Sequence, residues 1–334
     1  MTPFAELYEL PRRLSQPQVR DLAWTLVAPP LLVATDTRHP LCASDWASHP
    51  GQLADWLRQQ DATPEELAAW LAQGSDRRLG RQYERLWQFA LARAPGVRLL
   101  AANLPLREGE RTLGELDLLV ADAEGVHHLE LAVKFYLGEG SHGAPRWLGP
   151  GGEDQLARKL THLRERQLPL SATPLAQASL AALDIAPPRP AFWLGGYLFQ
   201  PLDAPLPWPA GALPPRQPQL WCERQRLPEG SWEVLPKGHW LAPAVANTPC
   251  LPLPDGEPVW PQLLVRRDGT GAEVARLFLV PAGWPTQPEA SALSWAANAR
   301  RPWRPPLWIS TRRLPAATAP RSISSRRASQ SLPV

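Results

Sequence analysis

The stretch Thr112–Tyr136, TLGELDLLVADAEGVHHLELAVKFY, decides the fold. Its apolar residues recur with a period of two, the mark of strands. On the first strand Glu115 and Asp117 share one face, with Leu116, Leu118 and Val120 on the other. On the second, His128, Glu130, Ala132 and Lys134 share a face opposite Leu129, Leu131, Val133 and Phe135. Asp122-Ala123-Glu124-Gly125 supplies the turn, since Gly takes a positive φ without strain. A turn symmetric about Ala123 and Glu124 sets Asp117 directly across from Glu130. Directly opposed side chains have Cβ atoms about 4.5–5.5 Å apart, so two carboxylates there repel. A divalent cation between them reverses the sign. Mg²⁺, or Mn²⁺ in its place, suits such a pair, because it accepts one or two carboxylates and keeps waters that a phosphate can displace. Lys134, on the same face, is a compact charge able to hold a phosphate or orient a water. The plainer alternative is a wet polar face on which Glu115 or Glu130 bridges to Lys134. Against it, Leu118–Val120 and Leu129–Val133 are nearly continuous apolar runs, typical of strands covered on both sides. Acids in such strands are costly unless paired or metal-bound. His127-His128 reads as strand surface.

Working outward, Leu79–Ala94 is the clearest helix, with Leu79, Tyr83, Leu86, Trp87 and Ala90 on one face. Glu84 lies at the border of that face, either reaching over the sheet edge or pairing with Arg81 or Arg85. Glu153–Leu168 returns to helical spacing, and Ala191–Phe199, AFWLGGYLF, reads as a buried strand. In the later helix Gln155, Lys159, His162 and Arg166 are spaced four, three and four residues apart, one polar stripe that could track a phosphodiester backbone or simply face solvent. The preceding loop, Leu148–Gly152, leads into Glu153 and Asp154, whose charges would repel a phosphate at that helix start. The expected fold is α/β, a mixed sheet flanked by helices. Helical segments at Val19–Leu26, Gln52–Arg58 and from Thr63 form an N-terminal section over 1–76, with Thr63, Pro64 and Glu66 arranged as a helix start. The core spans 77–200. A Pro- and Trp-rich section follows over 201–310, with a hairpin of Gln262–Arg267 and Glu273–Val280 across Asp268-Gly269. Trp221, Trp232, Trp240, Trp260 and Trp284 are expected to pack this section onto the core. Residues 311–334 read as a disordered basic tail.

The composition narrows the field. Among 334 residues are 41 Pro, 16 Trp and 3 Cys, and 44% are apolar, too many for a wholly disordered chain. No stretch reaches the roughly 18–20 apolar residues of a membrane span, and the acid in MTPFAELYEL does not suit a signal peptide. A cytoplasmic protein is expected. Cys42, Cys222 and Cys250 have neither disulfide nor metal spacing. The net charge is +3, but residues 311–334 hold five Arg and no acid, so taking those five away leaves the remaining residues at −2. A basic surface for nucleic acid must then be local. No nucleotide-triphosphate loop, H-E-x-x-H or G-x-S-x-G elbow is present. Of 35 basic residues only Lys134, Lys159 and Lys237 are lysines, and two of these fall at the proposed site.

An Asp on one strand, a Glu on the next and a Lys on the same face resemble the PD-(D/E)XK nuclease superfamily. The stretches RDLAWTLVAPPLL, LGRQYERLWQF, TLGELDLLV, HLELAVKFYLG and EDQLARKLTHLRERQLPLS resemble more closely an uncharacterised bacterial family, domain of unknown function 1853, over roughly 18–200. The superfamily resemblance implies a restriction-endonuclease-like core and metal-dependent phosphodiester hydrolysis on nucleic acid, with DNA as the expected substrate. By that resemblance Asp117 and Glu130 match the metal-binding acids, Lys134 the motif lysine, and Glu84 the acid carried on the helix before the sheet. The chain departs from the motif at the lysine. Glu-x-Lys would place it at Ala132, whereas here the spacing is Glu-x-x-x-Lys, a shift of about 6.6–6.8 Å along the strand. A nuclease-like fold that has lost turnover, and serves as a nucleic-acid-binding or protein-interaction module, is the alternative that this departure favours.

Overall fold

The computed structural model describes residues 2–74, 76 and 78–285. The expected tail over 311–334, and 286–310 of the section before it, lie outside the described residues. The chain begins with helices α1 (Pro17–Val27), α2 (Asp45–Ser48), α3 (Pro50–Ala62) and α4 (Glu65–Ala72). Pro at the first turn starts α1 and α3, where its missing N–H has no partner to lose. Thr63 does not cap α4 as the sequence suggested. Its Oγ1 donates to Gln59 O at 2.9 Å, closing the end of α3 instead. Helix α5 (Leu79–Leu91) buries the face read from its spacing, Leu79, Tyr83, Leu86, Trp87 and Ala90.

Three strands follow: β1 (Arg98–Glu108), β2 (Arg111–Asp122) and β3 (Gly125–Ser141), the last doubling back through β4 (Ala144–Leu148). Helices α6 (Leu156–His162) and α7 (Pro174–Ala182) carry the chain to β5 (Arg189–Pro201). Strand β5 runs parallel to β3 from His127↔Arg189 to Leu137↔Phe199, the crossover that an intervening helix permits. Beyond it come β6 (Gln219–Glu223), β7 (Glu233–Val234), β8 (Leu251–Pro252), β9 (Gln262–Arg267) and β10 (Glu273–Val280). Strands β9 and β10 form the hairpin read from the sequence, within the same bounds. The sheet is continuous and mixed, in the order β1-β2-β3-β5-β6-β10-β9-β7-β8, with β4 added on β3.

Helices cover both faces. Leu118, Val120, Leu129, Leu131, Val133 and Phe135 pack under α1 and α5 in the main core. Tyr136, Phe192, Leu194 and Leu198 meet Leu156 of α6 and Leu163 on the other face. Leu116 and Leu119 join Ala176 and Leu180 of α7 in a third cluster. Trp221, Trp240 and Trp284, buried or half-buried, bind the C-terminal section to the body, whereas Trp232 packs within that section and Trp260 is exposed. The longest elements that escape the sequence reading are strand β1 and helix α7; the short α2, β4, β7 and β8 escape it as well. Among the described residues no helix is long and apolar enough to cross a membrane.

Candidate metal and phosphate site

The β2–β3 turn is the symmetric one, and the ladder runs from Asp122↔Gly125 to Leu118↔Leu129. One residue further the strands part. Strand β4 takes up the same side of β3 only from Leu137, a residue that also pairs with Phe199 of β5 on the other side. Residues 130–136 therefore present an open edge in the middle of a sheet. Asp117 sits at the fork. Its Oδ2 accepts the Leu131 backbone N–H at 3.0 Å, where a neighbouring strand would have supplied a carbonyl.

The expected alternation slips at this point. Leu118 and Val120 face the main core, but Leu116 faces α7 along with Leu119. Across the β1–β2 pairing, Asn103 lies between Ala102↔Leu118 and Leu104↔Leu116, hence beside Asp117, with a φ of +52°. That left-handed conformation is uncommon outside Gly, and Asn tolerates it better than most. Asn103 Nδ2 donates to Glu115 Oε1 at 2.9 Å, and Asn103 Oδ1 accepts from Gln88 Nε2 at 2.9 Å.

Four acids gather around the fork. Glu130, on β3, is only 1% exposed. Its Oε1 meets His128 Nε2 at 2.8 Å, and its Oε2 accepts from Gln167 Nε2. Burial, then the Glu130 charge, pushes Asp117 up to about 8. Glu84 reaches the cluster from α5 while pairing with Arg81 Nη1, so both of its expected roles are filled at once. Burial raises its pKa against the pull of Arg81, and the Glu115 charge adds to the rise. Arg81 also stands 3.8 Å from Glu115.

The lysines divide differently from the motif. Lys134 Nζ is held by Asp154 Oδ2 at 2.6 Å, with the Tyr136 hydroxyl 3.4 Å from Asp154 Oδ1. Neither Glu115 nor Glu130 bridges to it. Lys159, on α6, is the lysine in the field of the acids. Burial, then the Lys134 charge, lowers its pKa, while Glu130, Asp117 and Asp154 oppose the change. Its Nζ donates to Gln167 Oε1 at 2.8 Å, and His162 Nδ1 faces the same oxygen at 3.2 Å. Gln155 stands at the N-cap of α6, and Arg166 is exposed. Gln155, Lys159, His162 and Arg166 line one shallow groove with Asp154 and Glu165.

Among the described residues no three His, Cys, Asp or Glu side chains form a ready-made metal centre. The donors at the fork are two carboxylates that already repel each other. That set fits a hard oxygen-seeking cation that keeps its waters, such as Mg²⁺ or Mn²⁺, and the imidazole beside it, His128, is turned to Glu130 through Nε2.

A family model described as "Domain of unknown function (DUF1853)" matches residues 20–280. The chain belongs to that family. No curated protein and no solved structure matches it. All the acids and lysines described above lie inside the span shared with DUF1853. Four residues of this candidate site in the DUF1853 chain were not singled out from its sequence: Gln167, His128, Asp154 and Asn103. His128 is fully buried against Glu130 and His127 stands 3.3 Å from Asp122, so neither histidine is the strand surface expected. Parity along β3 put His128 on Glu130's face and could have flagged it. Gln167 carried no such signal.

Proposed function

We propose that this chain is a Mg²⁺-dependent phosphodiesterase acting on nucleic acid, with DNA as the first substrate to test. The observation that carries the reading is a pair of carboxylates, buried Glu130 and half-buried Asp117, the latter bonded to the Leu131 amide next to Glu130, where β2 parts from β3 and leaves the middle of the sheet open. The elements around them, helix α5, three antiparallel strands, helices and then parallel β5, make a mixed sheet flanked by helices, the kind of core that the PD-(D/E)XK resemblance implies. Asp117 and Glu130 would hold Mg²⁺ or Mn²⁺. A cation bound there supplies positive charge beside the reacting phosphate and lowers the pKa of its own water. Lys159 is placed to support the phosphate or the water, the part that the motif gives to the lysine on β3. Glu84, paired with Arg81, bounds the acid cluster. Gln155, His162 and Arg166 extend the groove along which a backbone could run.

Purified protein incubated with single-stranded, duplex and branched DNA and with RNA, in Mg²⁺ or Mn²⁺, tests the reading. Metal-dependent cleavage that disappears in Asp117→Asn and Glu130→Gln is the expected result. Cleavage unchanged in both variants would sink the assignment. A second reading, a nuclease-like fold without turnover that binds nucleic acid or protein, is favoured by one observation: Lys134 is committed to Asp154. It expects nucleic-acid or protein binding with no cleavage under any of these conditions.

A further inference from the structure

Gln167 closes a π-helical segment, Leu163–Gln167, that continues α6. Its amide has a partner at each end. Nε2 donates to Glu130 Oε2, while Oε1 accepts from Lys159 Nζ at 2.8 Å and faces His162 Nδ1 at 3.2 Å. One side chain thus ties an acid of β3 to the polar stripe of the helix. The π turn makes this possible. On an uninterrupted α-helix Arg166, seven residues past Lys159, lies about 20° from it, and Gln167 lies about 80° away. A π turn takes up one extra residue, a feature frequent at functional sites. It brings Gln167 onto the line of Lys159, and Arg166 stays exposed. The other Glu130 oxygen meets His128 Nε2 at 2.8 Å. Each carboxylate oxygen then has one hydrogen bond and a lone pair to spare.

We propose that Gln167 is a positioning residue of this site, fixing the Glu130 carboxylate for a divalent cation and holding the Lys159 ammonium beside it. This rests on the reading of Asp117 and Glu130 as a cation pair. Hydrogen-bonding partners of metal ligands typically alter metal affinity by about 10–100-fold when removed.

The test is Mn²⁺ titration calorimetry on the full chain without nucleic acid, beside melting curves in chelator and in Mn²⁺. Gln167→Met, of similar size but without the amide, is expected to weaken Mn²⁺ binding by about 10–100-fold. Gln167→Glu keeps the acceptor for Lys159 but faces Glu130 with a second charge. It should melt lower than wild type in chelator and gain a larger rise from Mn²⁺, which keeps the test valid if Gln167→Met does not fold. A Gln167 that only packs the helix would lower the melting midpoint equally with and without Mn²⁺, and that result overturns the proposal. Wild-type Mn²⁺ affinity in both variants, with binding lost in Asp117→Asn, overturns the role of Gln167 and leaves the cation pair standing. No Mn²⁺ binding by the wild type overturns both.

Discussion

Asp117 fills with its side chain the place that a strand would occupy next to Leu131: Oδ2 accepts the Leu131 amide at 3.0 Å, just beyond the last β2–β3 pair, Leu118↔Leu129. The carboxylate is therefore part of the sheet's hydrogen bonding as well as of the acid cluster. Removing it and removing its charge are different experiments. Asp117→Asn keeps an oxygen for the Leu131 N–H, whereas Asp117→Ala leaves that donor unmet. An unsatisfied buried donor costs about 1–3 kcal/mol. Asp117→Ala is expected to be less stable than Asp117→Asn by that amount in urea unfolding at one pH. Equal midpoints and slopes would show that the bond contributes nothing.

The two lysines at the site should separate in activity. Lys134 is paired with Asp154, while Lys159 stands in the field of Glu130 and Asp117. Loss of one group that stabilises a transition state costs about 10²–10³ in rate. Lys159→Met is expected to reduce metal-dependent cleavage by about 10²-fold, and Lys134→Met by much less. The reverse order in single-turnover assays would return the motif role to Lys134.

Local rules made the hairpin readable. Period-two alternation and a turn ending in Gly125 fixed the β2–β3 register, and the same signals fixed β9–β10. Strand β1, RLLAANLPLRE, has no clean alternation and includes Pro105 and a left-handed Asn103, so nothing local announced it. Helix α7, PLAQASLAA, carries no charge to mark a polar face. At the site, strand geometry led to the neighbourhood of Asp117 and Glu130 but not to their arrangement: the ladder ends at Leu118↔Leu129, and Asp117 bonds the Leu131 amide instead of lying directly across from Glu130. The Lys134–Asp154 pair did not follow from it, because it depends on how the loop before α6 folds back. Gln167 was hidden for a sharper reason: it reaches Glu130 only through a π turn, which breaks the helical period used to read that segment.

Two buried groups outside the acid cluster give opposite pH dependences. Burial pushes Asp21 up to about 7, against the Ala242 N–H and the Arg20 charge that favour its ionised form. The folded state then binds more protons than the unfolded one between about pH 4 and 7, so this contribution is full at low pH and lost as pH rises through 7. Asp21→Asn should flatten that loss, by at most about 1.4 kcal/mol per pH unit. His39 behaves the other way. Its Nε2 lies 3.0 Å from Leu26 O and its Nδ1 accepts from Leu41 N at 3.1 Å, so the ring is held neutral, and burial lowers its pKa to about 3. Its contribution is full above pH 6.5 and lost as pH falls toward 3. Melting midpoints from pH 4 to 8 should show His39→Gln less sensitive to acid than wild type, and Asp21→Asn less sensitive to base. Curves parallel to wild type in both variants would remove these two groups as the cause.

The close approach of β5 to β3 beside Lys134 rests on one glycine. Gly196, paired with Lys134, has a φ of +129°. A Cβ there would lie 1.7 Å from the Lys134 carbonyl oxygen and 2.7 Å from its carbon, both backbone atoms that cannot turn aside. The neighbouring Gly195, whose φ is not in the left-handed region, would meet the Tyr83 hydroxyl at 2.5 Å, a side-chain atom of a buried ring instead of backbone. A strained φ alone costs about 1–3 kcal/mol, and the overlap adds to it. Gly196→Ala is expected to destabilise the fold by more than about 3 kcal/mol and Gly195→Ala by less. Gly143→Ala, in the β3–β4 turn with nothing within 4 Å of the added carbon, should stay within about 0.5 kcal/mol of wild type. Chemical denaturation of the three variants checks the ranking. A Gly196→Ala protein as stable as Gly143→Ala would mean that β5 can shift off Lys134 at no cost.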